Sequence, residues 1–277
     1  MIHVKKAFVI GHPIEHSRSP LIHGTWLAAH GIAGSYEAID VAPADLTQFV
    51  ARIRAGEFAG GNVTIPHKEA VFGLADSVDP LARTIGAVNT LVREGDGRIH
   101  GFNTDYMGFL GNLDQNAPGW SNGLERAIVL GAGGASRAIL VALRERGIKE
   151  VVLLNRTVDK AEALAREIAG PFIPGPLADY ARYASTAGLV VNTTSIGMHD
   201  SRFEDLDLSL LPRTALVTDI VYVPLVTPLL ADARALGLKT VDGLGMLLHQ
   251  AVPGFEAWFG VRPTVTPELR AKVEATL

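Results

Sequence analysis

Three polar clusters in the N-terminal part of the chain carry side chains suited to gripping a small oxygenated molecule. In His16-Ser17-Arg18-Ser19-Pro20 two hydroxyls stand beside a helix start, because serine followed by proline supplies an N-cap and a first helical residue. Hydroxyls at a helix N-terminus suit a carboxylate. Ser19 has a local explanation as the cap, whereas Ser17 has none. In Asn62-Val63-Thr64-Ile65-Pro66-His67-Lys68 a regular strand would turn Asn62 and Thr64 to one face. Proline then forces a turn, and Lys68 emerges past the strand's C-terminal end, where α/β sheets hold ligands. A lysine there is equally the ordinary surface charge. The third cluster is Gly101-Phe102-Asn103-Thr104-Asp105, with Asn89 on the preceding strand in Ala87-Val88-Asn89-Thr90. Asp105 reads either as a helix cap or as a functional carboxylate.

A second kind of chemistry is written in Ala127–Ala138. Ala127–Leu130 reads as a buried strand, and a glycine turn follows at Gly131, Ala132, Gly133 and Gly134. Ala135, Ala138, Ile139 and Ala142 then recur at helical spacing. Strand, glycine turn and helix start together make a dinucleotide site: the backbone approaches a pyrophosphate, and free N–H groups point at it. Ser136 stands where a third glycine is usual. The end of the next strand, where a carboxylate would select NAD, carries Asn155, then Arg156, Thr157 and, one turn on, Lys160. These four form a cradle for a 2′-phosphate, which selects NADP. Two charge-assisted hydrogen bonds of roughly 1.5–3 kcal/mol each would bias the choice about a hundredfold or more.

The elements that must position these groups follow from periodicity. Strands are predicted at Lys6–Gly11, Ser35–Val41, Asn62–Ile65, Ala87–Arg93 and Arg98–Asn103, the last two joined by an Asp96-Gly97 hairpin. Helices are predicted from Ser19 to about His30, over Pro43–Ala55, and from near Asp105. Beyond the glycine turn, strands Val151–Asn155, Gly188–Asn192, Ala215–Val221 and Lys239–Asp242 alternate with helices Thr157–Ala169 and Pro228–Leu236. The tail Leu244–Gly260 is helical in pattern, with Pro253 expected to kink or split it. The fold class is α/β with two domains. Residues 1–105 form a mixed-sheet substrate-binding and catalytic domain completed by helices in 243–277, and residues 106–242 a doubly wound Rossmann domain. This layout predicts a cleft that closes on its ligands, hinged near Asp105 and Asp242–Gly245.

Composition narrows the function classes. The chain has 277 residues, is 48% hydrophobic and carries a net charge of −4, which gives no basic footprint for nucleic acid. It contains no cysteine, which removes disulfides, thiol catalysis and cysteine-ligated zinc. Nine histidines remain, but no H-E-x-x-H occurs, and no metal site is expected. Lys5 and Lys6 before the short run Ala7–Ile10 do not read as a signal peptide, and no apolar run approaches a membrane span. A cytoplasmic protein with small-molecule partners is expected, and a homodimer is left open.

Taken together, the motifs resemble one family. H-S-x-S-P, N-V-T-I-P-H-K, G-A-V-N-T, G-x-N-T-D, the G-A-G-G-A-S-R-A turn and N-R-T occur in the order found in shikimate dehydrogenases. N-T-T-S-I-G-M (Asn192–Met198), D-I-V-Y-x-P (Asp219–Pro224) and D-G-L-G-M-L-L-H-Q (Asp242–Gln250) extend the likeness over nearly the whole chain. The family reduces 3-dehydroshikimate to shikimate with NADPH in aromatic amino-acid biosynthesis. The resemblance implies that Ser17 and Ser19 hold the substrate carboxylate, and that Thr64, Asn89, Asp105 and Gln250 bind ring hydroxyls with Tyr222 facing them. Lys68 and Asp105 would be the catalytic pair. Gly131–Ala135 and Asn155–Lys160 would hold NADP, with Ile220, Gly243 and Met246 near the nicotinamide. An acidic residue sometimes assigned to the nucleotide has no clear match, since it would fall near Pro80. Ketone reduction needs a proton for a developing alkoxide, and an ammonium held by a carboxylate can stabilise that charge and deliver the proton.

Two rivals stand beside this reading. One is a quinate/shikimate dehydrogenase or a paralogue acting on a related cyclohexane carboxylic acid. Ser19, where quinate-active relatives tend to carry threonine, and Asn155 argue against it. The other is a non-catalytic NADP- or metabolite-binding regulator on the same fold. Such a sensor has no use for both Lys68 and Asp105.

Overall fold

A computed structural model describes residues 4–199 and 201–277. The chain divides into two compact units, one taking the chain up to Thr104 and returning with Leu248–Thr276, the other holding Asp105–Leu247.

The first unit is built on β1 (Lys5–Gly11), α1 (Ser19–Ala29), β2 (Gly34–Asp40), α2 (Leu46–Arg54), β3 (Gly60–Val63), α3 (Ala70–Leu74), β4 (Ser77–Val78), α4 (Pro80–Ile85), β5 (Thr90–Arg93) and β6 (Ile99–Phe102). Its six strands run in the order β2-β1-β3-β5-β6-β4. β1 pairs in parallel with β2 and β3, whereas β3–β5 and β5–β6 are antiparallel, so the sheet is mixed as the Asp96-Gly97 hairpin requires. The amphipathic α2 buries Leu46, Phe49, Val50 and Ile53. Each such side chain contributes roughly 1.5–3 kcal/mol of burial. Phe8, at the centre of β1, meets Phe49 and Phe58 edge-on at ring separations of 4.9 and 5.0 Å.

Three sequence expectations change here. The helix expected over Pro43–Ala55 opens with a separate 3₁₀ turn, Pro43–Asp45. The strand expected at Asn62–Ile65 begins earlier and ends at Val63, so Thr64 lies beyond the regular pairing instead of sharing a strand face with Asn62. Glycines 60 and 61 conceal the strand's start, and both are needed there: a Cβ on Gly61 would strike the Phe8 backbone, and one on Gly60 the Leu91 carbonyl. Ser19 is the first helical residue and makes no side-chain cap; instead the Ser17 hydroxyl accepts the Ser19 N–H at 3.3 Å. The hydroxyl that meets the helix's first N–H is therefore that of Ser17, not of Ser19, and Arg18 occupies the cap position without a side-chain cap.

The second unit contains α5 (Asp105–Asn116), β7 (Arg126–Leu130), α6 (Gly134–Glu145), β8 (Glu150–Asn155), α7 (Val158–Ile168), β9 (Phe172–Pro176), α8 (Tyr180–Ala184), β10 (Leu189–Asn192), β11 (Ile196–His199), β12 (Leu216–Asp219), α9 (Pro228–Ala235) and β13 (Lys239–Val241). Its parallel sheet runs β13-β12-β10-β7-β8-β9, the strand order of a doubly wound nucleotide-binding fold with its reversal between β7 and β10. Its core joins Ile128, Leu130, Val152, Leu154, Val190 and Val217. Ala135, assigned by spacing to the apolar stripe of α6, is exposed in its first turn, while Ala138, Ile139 and Ala142 are buried.

The chain ends in α10 (Leu244–Phe259) and α11 (Pro267–Glu274). α10 runs unbroken with Pro253 inside it, so of the kink or split expected at that proline the split does not occur. Within the first unit, Trp258 of α10 donates its indole N–H to the Leu91 carbonyl at 2.8 Å. No described helix is long and apolar enough to cross a membrane.

Candidate active site

In the first unit, the three polar clusters stand at strand ends. Ser17 and Ser19 open α1, Ser17 half-buried and Ser19 buried. Thr64 follows β3, and its N–H bonds to the Ile10 carbonyl at 2.9 Å. Lys68 lies in the turn before α3, half-buried, with its carbonyl accepting the Val88 N–H at 2.9 Å. Asn89 is buried just before β5, and its Oδ1 accepts the Thr104 N–H at 2.9 Å. This bond fixes the backbone immediately before Asp105, which opens α5 as its first residue. Gln250, on α10, accepts from the Thr104 hydroxyl at 3.4 Å. Asp79, the acidic neighbour of Pro80, caps α4 by accepting the N–H groups of Leu81 and Ala82 at 2.8 and 3.3 Å.

In the second unit, the glycine turn bounds a cavity of about 300 Å³ at the C-terminal ends of β7, β8 and β10. Gly131 has φ +104°, and a Cβ there would meet the side chains of Thr193 and Thr194, so glycine is required on both grounds. At Gly133 and Gly134 an added Cβ would meet nothing within 4 Å, which leaves open space over the start of α6. The hydroxyl of buried Ser136 accepts the Gly133 N–H at 3.1 Å and donates to the Gly131 carbonyl at 2.8 Å. Serine thus closes the turn internally, which accounts for the missing third glycine.

Across the cavity, Arg156, Thr157 and Lys160 are exposed and line it. Asn155 accepts the Ala132 N–H at 3.2 Å and donates to the Thr157 carbonyl at 2.8 Å. Open helix N–H groups, an uncrowded glycine turn and two cations around one space fit a dinucleotide carrying an additional phosphate. Thr193, Thr194 and Ser195, quoted from the sequence only as part of the Asn192–Met198 motif and given no role there, also line the cavity. Their signal was a run of hydroxyls at the C-terminal end of a strand beside the topological reversal.

The remaining predicted cofactor contacts follow β12 (Ile220) and β13 (Gly243 and Met246). Asp219 is buried and accepts three hydrogen bonds, from Asn192 Nδ2 (3.0 Å), the Val221 N–H (2.9 Å) and the Thr227 hydroxyl (2.7 Å). Burial pushes its carboxyl above the usual range, against those three donors. The arrangement anchors the segment bearing Ile220 and Tyr222 at both ends. A Cβ on Gly243 would collide with the Ile220 and Val221 carbonyls, so glycine there permits direct backbone packing. Met246 donates its N–H to the Gly243 carbonyl at 3.1 Å. Asn112 of α5, another residue that sequence reasoning missed, holds the Asp242 carbonyl at 2.7 Å. Among the described residues no group of three or more His, Cys, Asp or Glu gathers that could hold a metal.

Comparison with known proteins places these features. Residues 9–91 match the shikimate dehydrogenase substrate binding domain, residues 118–246 the shikimate/quinate 5-dehydrogenase family, and residues 243–267 the shikimate 5′-dehydrogenase C-terminal domain. A shikimate dehydrogenase (NADP(+)) of Mesorhizobium japonicum is 59% identical, covering 99% of this chain and 97% of that one. Shikimate 5-dehydrogenase from Thermus thermophilus, solved with NADP(H) and shikimate, superposes with a TM-score of 0.84 at 39% identity, covering 99% and 100% of the two chains. Quinate dehydrogenase from Corynebacterium glutamicum, solved with NAD, superposes with a TM-score of 0.89 at 33% identity, covering 98% and 99%. The fold is thus common to enzymes with different substrates and nucleotides, and the side chains must decide between them.

Proposed function

Because the chain belongs to the shikimate dehydrogenase family, we propose that it catalyses the reversible NADPH-dependent reduction of 3-dehydroshikimate to shikimate. It is an NADP-dependent oxidoreductase. The observation that carries the nucleotide choice is the Arg156–Lys160 cradle at the end of β8, where an NAD-preferring site would present a carboxylate. That feature, with the 59% identity to an NADP-dependent relative, favours this reading over an NAD-linked quinate enzyme.

In this reading the first unit holds the substrate and the second the nucleotide. Bound NADPH supplies the hydride. Ser17 and Ser19 hold the substrate carboxylate, and Thr64, Asn89 and Gln250 bind ring hydroxyls with Tyr222 facing them. Lys68 stabilises the developing alkoxide and gives it a proton, while Asp105 orients the ammonium and a substrate hydroxyl. Gly131–Ala135 receive the pyrophosphate, Arg156, Thr157 and Lys160 the 2′-phosphate, and Ile220, Gly243 and Met246 lie towards the nicotinamide. A cytoplasmic setting accords with a biosynthetic role. The test is the rate of NADP reduction with shikimate and with quinate. Turnover of shikimate with NADP, and much slower turnover of quinate or with NAD, is expected; the reverse preference would favour the quinate enzyme, and no turnover the regulator.

A further inference from the structure

Behind Ser19 and Asn89 the first unit contains a continuous chain of buried hydrogen bonds. The Tyr36 hydroxyl donates to Asn62 Oδ1 at 2.6 Å. Asn62 Nδ2 donates to Thr90 Oγ1 at 3.1 Å, and the Thr90 hydroxyl donates to Asn89 Oδ1 at 2.8 Å. Asn89 Oδ1 also takes the Thr104 N–H at 2.9 Å, and Asn89 Nδ2 donates to the Thr104 hydroxyl at 3.1 Å. Thr90 and Thr104 are fully buried, and Asn89 and Asn62 are no more than 5% exposed. At the Tyr36 end the Ser19 side chain meets the phenol. At the other end the residue after Thr104 is Asp105.

The sense of every link follows from one backbone group. The Thr104 N–H can only donate, so the oxygen of the Asn89 amide must face it. That oxygen can only accept from Thr90, which leaves the Thr90 lone pairs to accept from Asn62 Nδ2 and turns the Asn62 oxygen towards Tyr36. The phenol, stacked on the His23 ring at 3.9 Å, closes the sequence as a donor, and burial keeps it protonated. Reversing Asn89 would set its Nδ2 against the Thr104 N–H, and reversing Asn62 would set its oxygen against the Asn89 carbonyl, which accepts from Asn62 Nδ2 at 3.3 Å, in a dry interior where an unmatched polar group is costly.

We propose that Thr90 and Tyr36 are positioning residues for substrate binding. The chain they complete fixes Ser19, at the carboxylate end, relative to Asn89 and the Thr104–Asp105 peptide, at the hydroxyl end. This rests on the reading of Ser19, Asn89 and Asp105 as substrate contacts.

The experiment is steady-state kinetics of shikimate oxidation by the whole chain with Thr90→Val, Thr90→Ser and Tyr36→Phe. Valine keeps the branched shape and removes the hydroxyl, so KM for shikimate should rise about tenfold, the worth of one hydrogen bond, while KM for NADP stays at the wild-type value. Serine should restore KM for shikimate to within about threefold of wild type, since it restores the same hydrogen bond. Tyr36→Phe, a milder change at the end of the chain, should move KM for shikimate in the same direction and decides the matter if Thr90→Val does not fold. Unchanged KM for shikimate, or equal changes in both KM values, in an active enzyme would overturn the proposal alone. A wild-type chain that does not oxidise shikimate would overturn the functional reading, and this proposal with it.

Discussion

The side-chain oxygen of Asn155 accepts the Ala132 N–H at 3.2 Å, tying the end of β8 to the glycine turn at the end of β7. The other half of the amide donates to the Thr157 carbonyl. Both ends are thus engaged within the protein, and the amide shapes the glycine turn. On the proposed reading, discrimination of the 2′-phosphate falls to the exposed Arg156, Thr157 and Lys160.

This division of labour separates two variants. Arg156→Ala should raise KM for NADPH about tenfold or more with little effect on KM for NADH, from the loss of one charge-assisted contact. Asn155→Ala should raise both, because it disturbs the shared turn. Initial rates with each nucleotide distinguish them, and equal effects of Arg156→Ala on the two would refute the phosphate assignment.

His23 makes stability depend on pH. Its ring is fully buried against Tyr36, Trp26, Phe255 and Trp258, and burial, only partly opposed by the Asn62 side chain, lowers its pKa from 6.5 to about 3. The unfolded chain therefore takes up the proton first as pH falls. Stability present above about pH 6.5 is lost below it, by up to about 1.4 kcal/mol per pH unit, until the folded ring also protonates near pH 3. Urea unfolding at pH 7 and pH 5 should show this loss in the wild type and a shallower one in His23→Phe. Parallel pH profiles would rule it out.

Asp219 is predicted to matter for the nucleotide unit without touching the chemistry. Asp219→Ala leaves the Val221 N–H and the Thr227 hydroxyl without their acceptor, and should cost about 3 kcal/mol in chemical unfolding. KM for NADP should rise with it, because the segment carrying Ile220 loses its anchor. Unchanged stability would show that the three hydrogen bonds are dispensable.

Much of this was legible in the chain. The glycine turn, the β7 and β8 strands and the Asp96-Gly97 hairpin stand out because local conformation and burial demand the same residues. β3 was misplaced because Gly60 and Gly61, which carry no strand signal, are required by close contact with Leu91 and Phe8, residues distant in sequence. The edge strand β9, Phe-Ile-Pro-Gly-Pro, was missed because two prolines and a glycine mark a loop, yet an edge tolerates them. In the candidate site the residue types were readable and their division of tasks was not. Which serine serves the helix start, and which way the Asn89 amide faces, depend on hydrogen bonds that only the folded chain reveals.

In the proposed reaction the Lys68 ammonium supplies the proton for ketone reduction. This role is tested most directly by the kinetics of 3-dehydroshikimate reduction with NADPH in Lys68→Ala. The expected result is a fall in kcat of about 10²–10⁴, the usual worth of a general acid, with KM for the substrate little changed. A wild-type kcat with only KM raised would contradict it and reduce Lys68 to a binding contact.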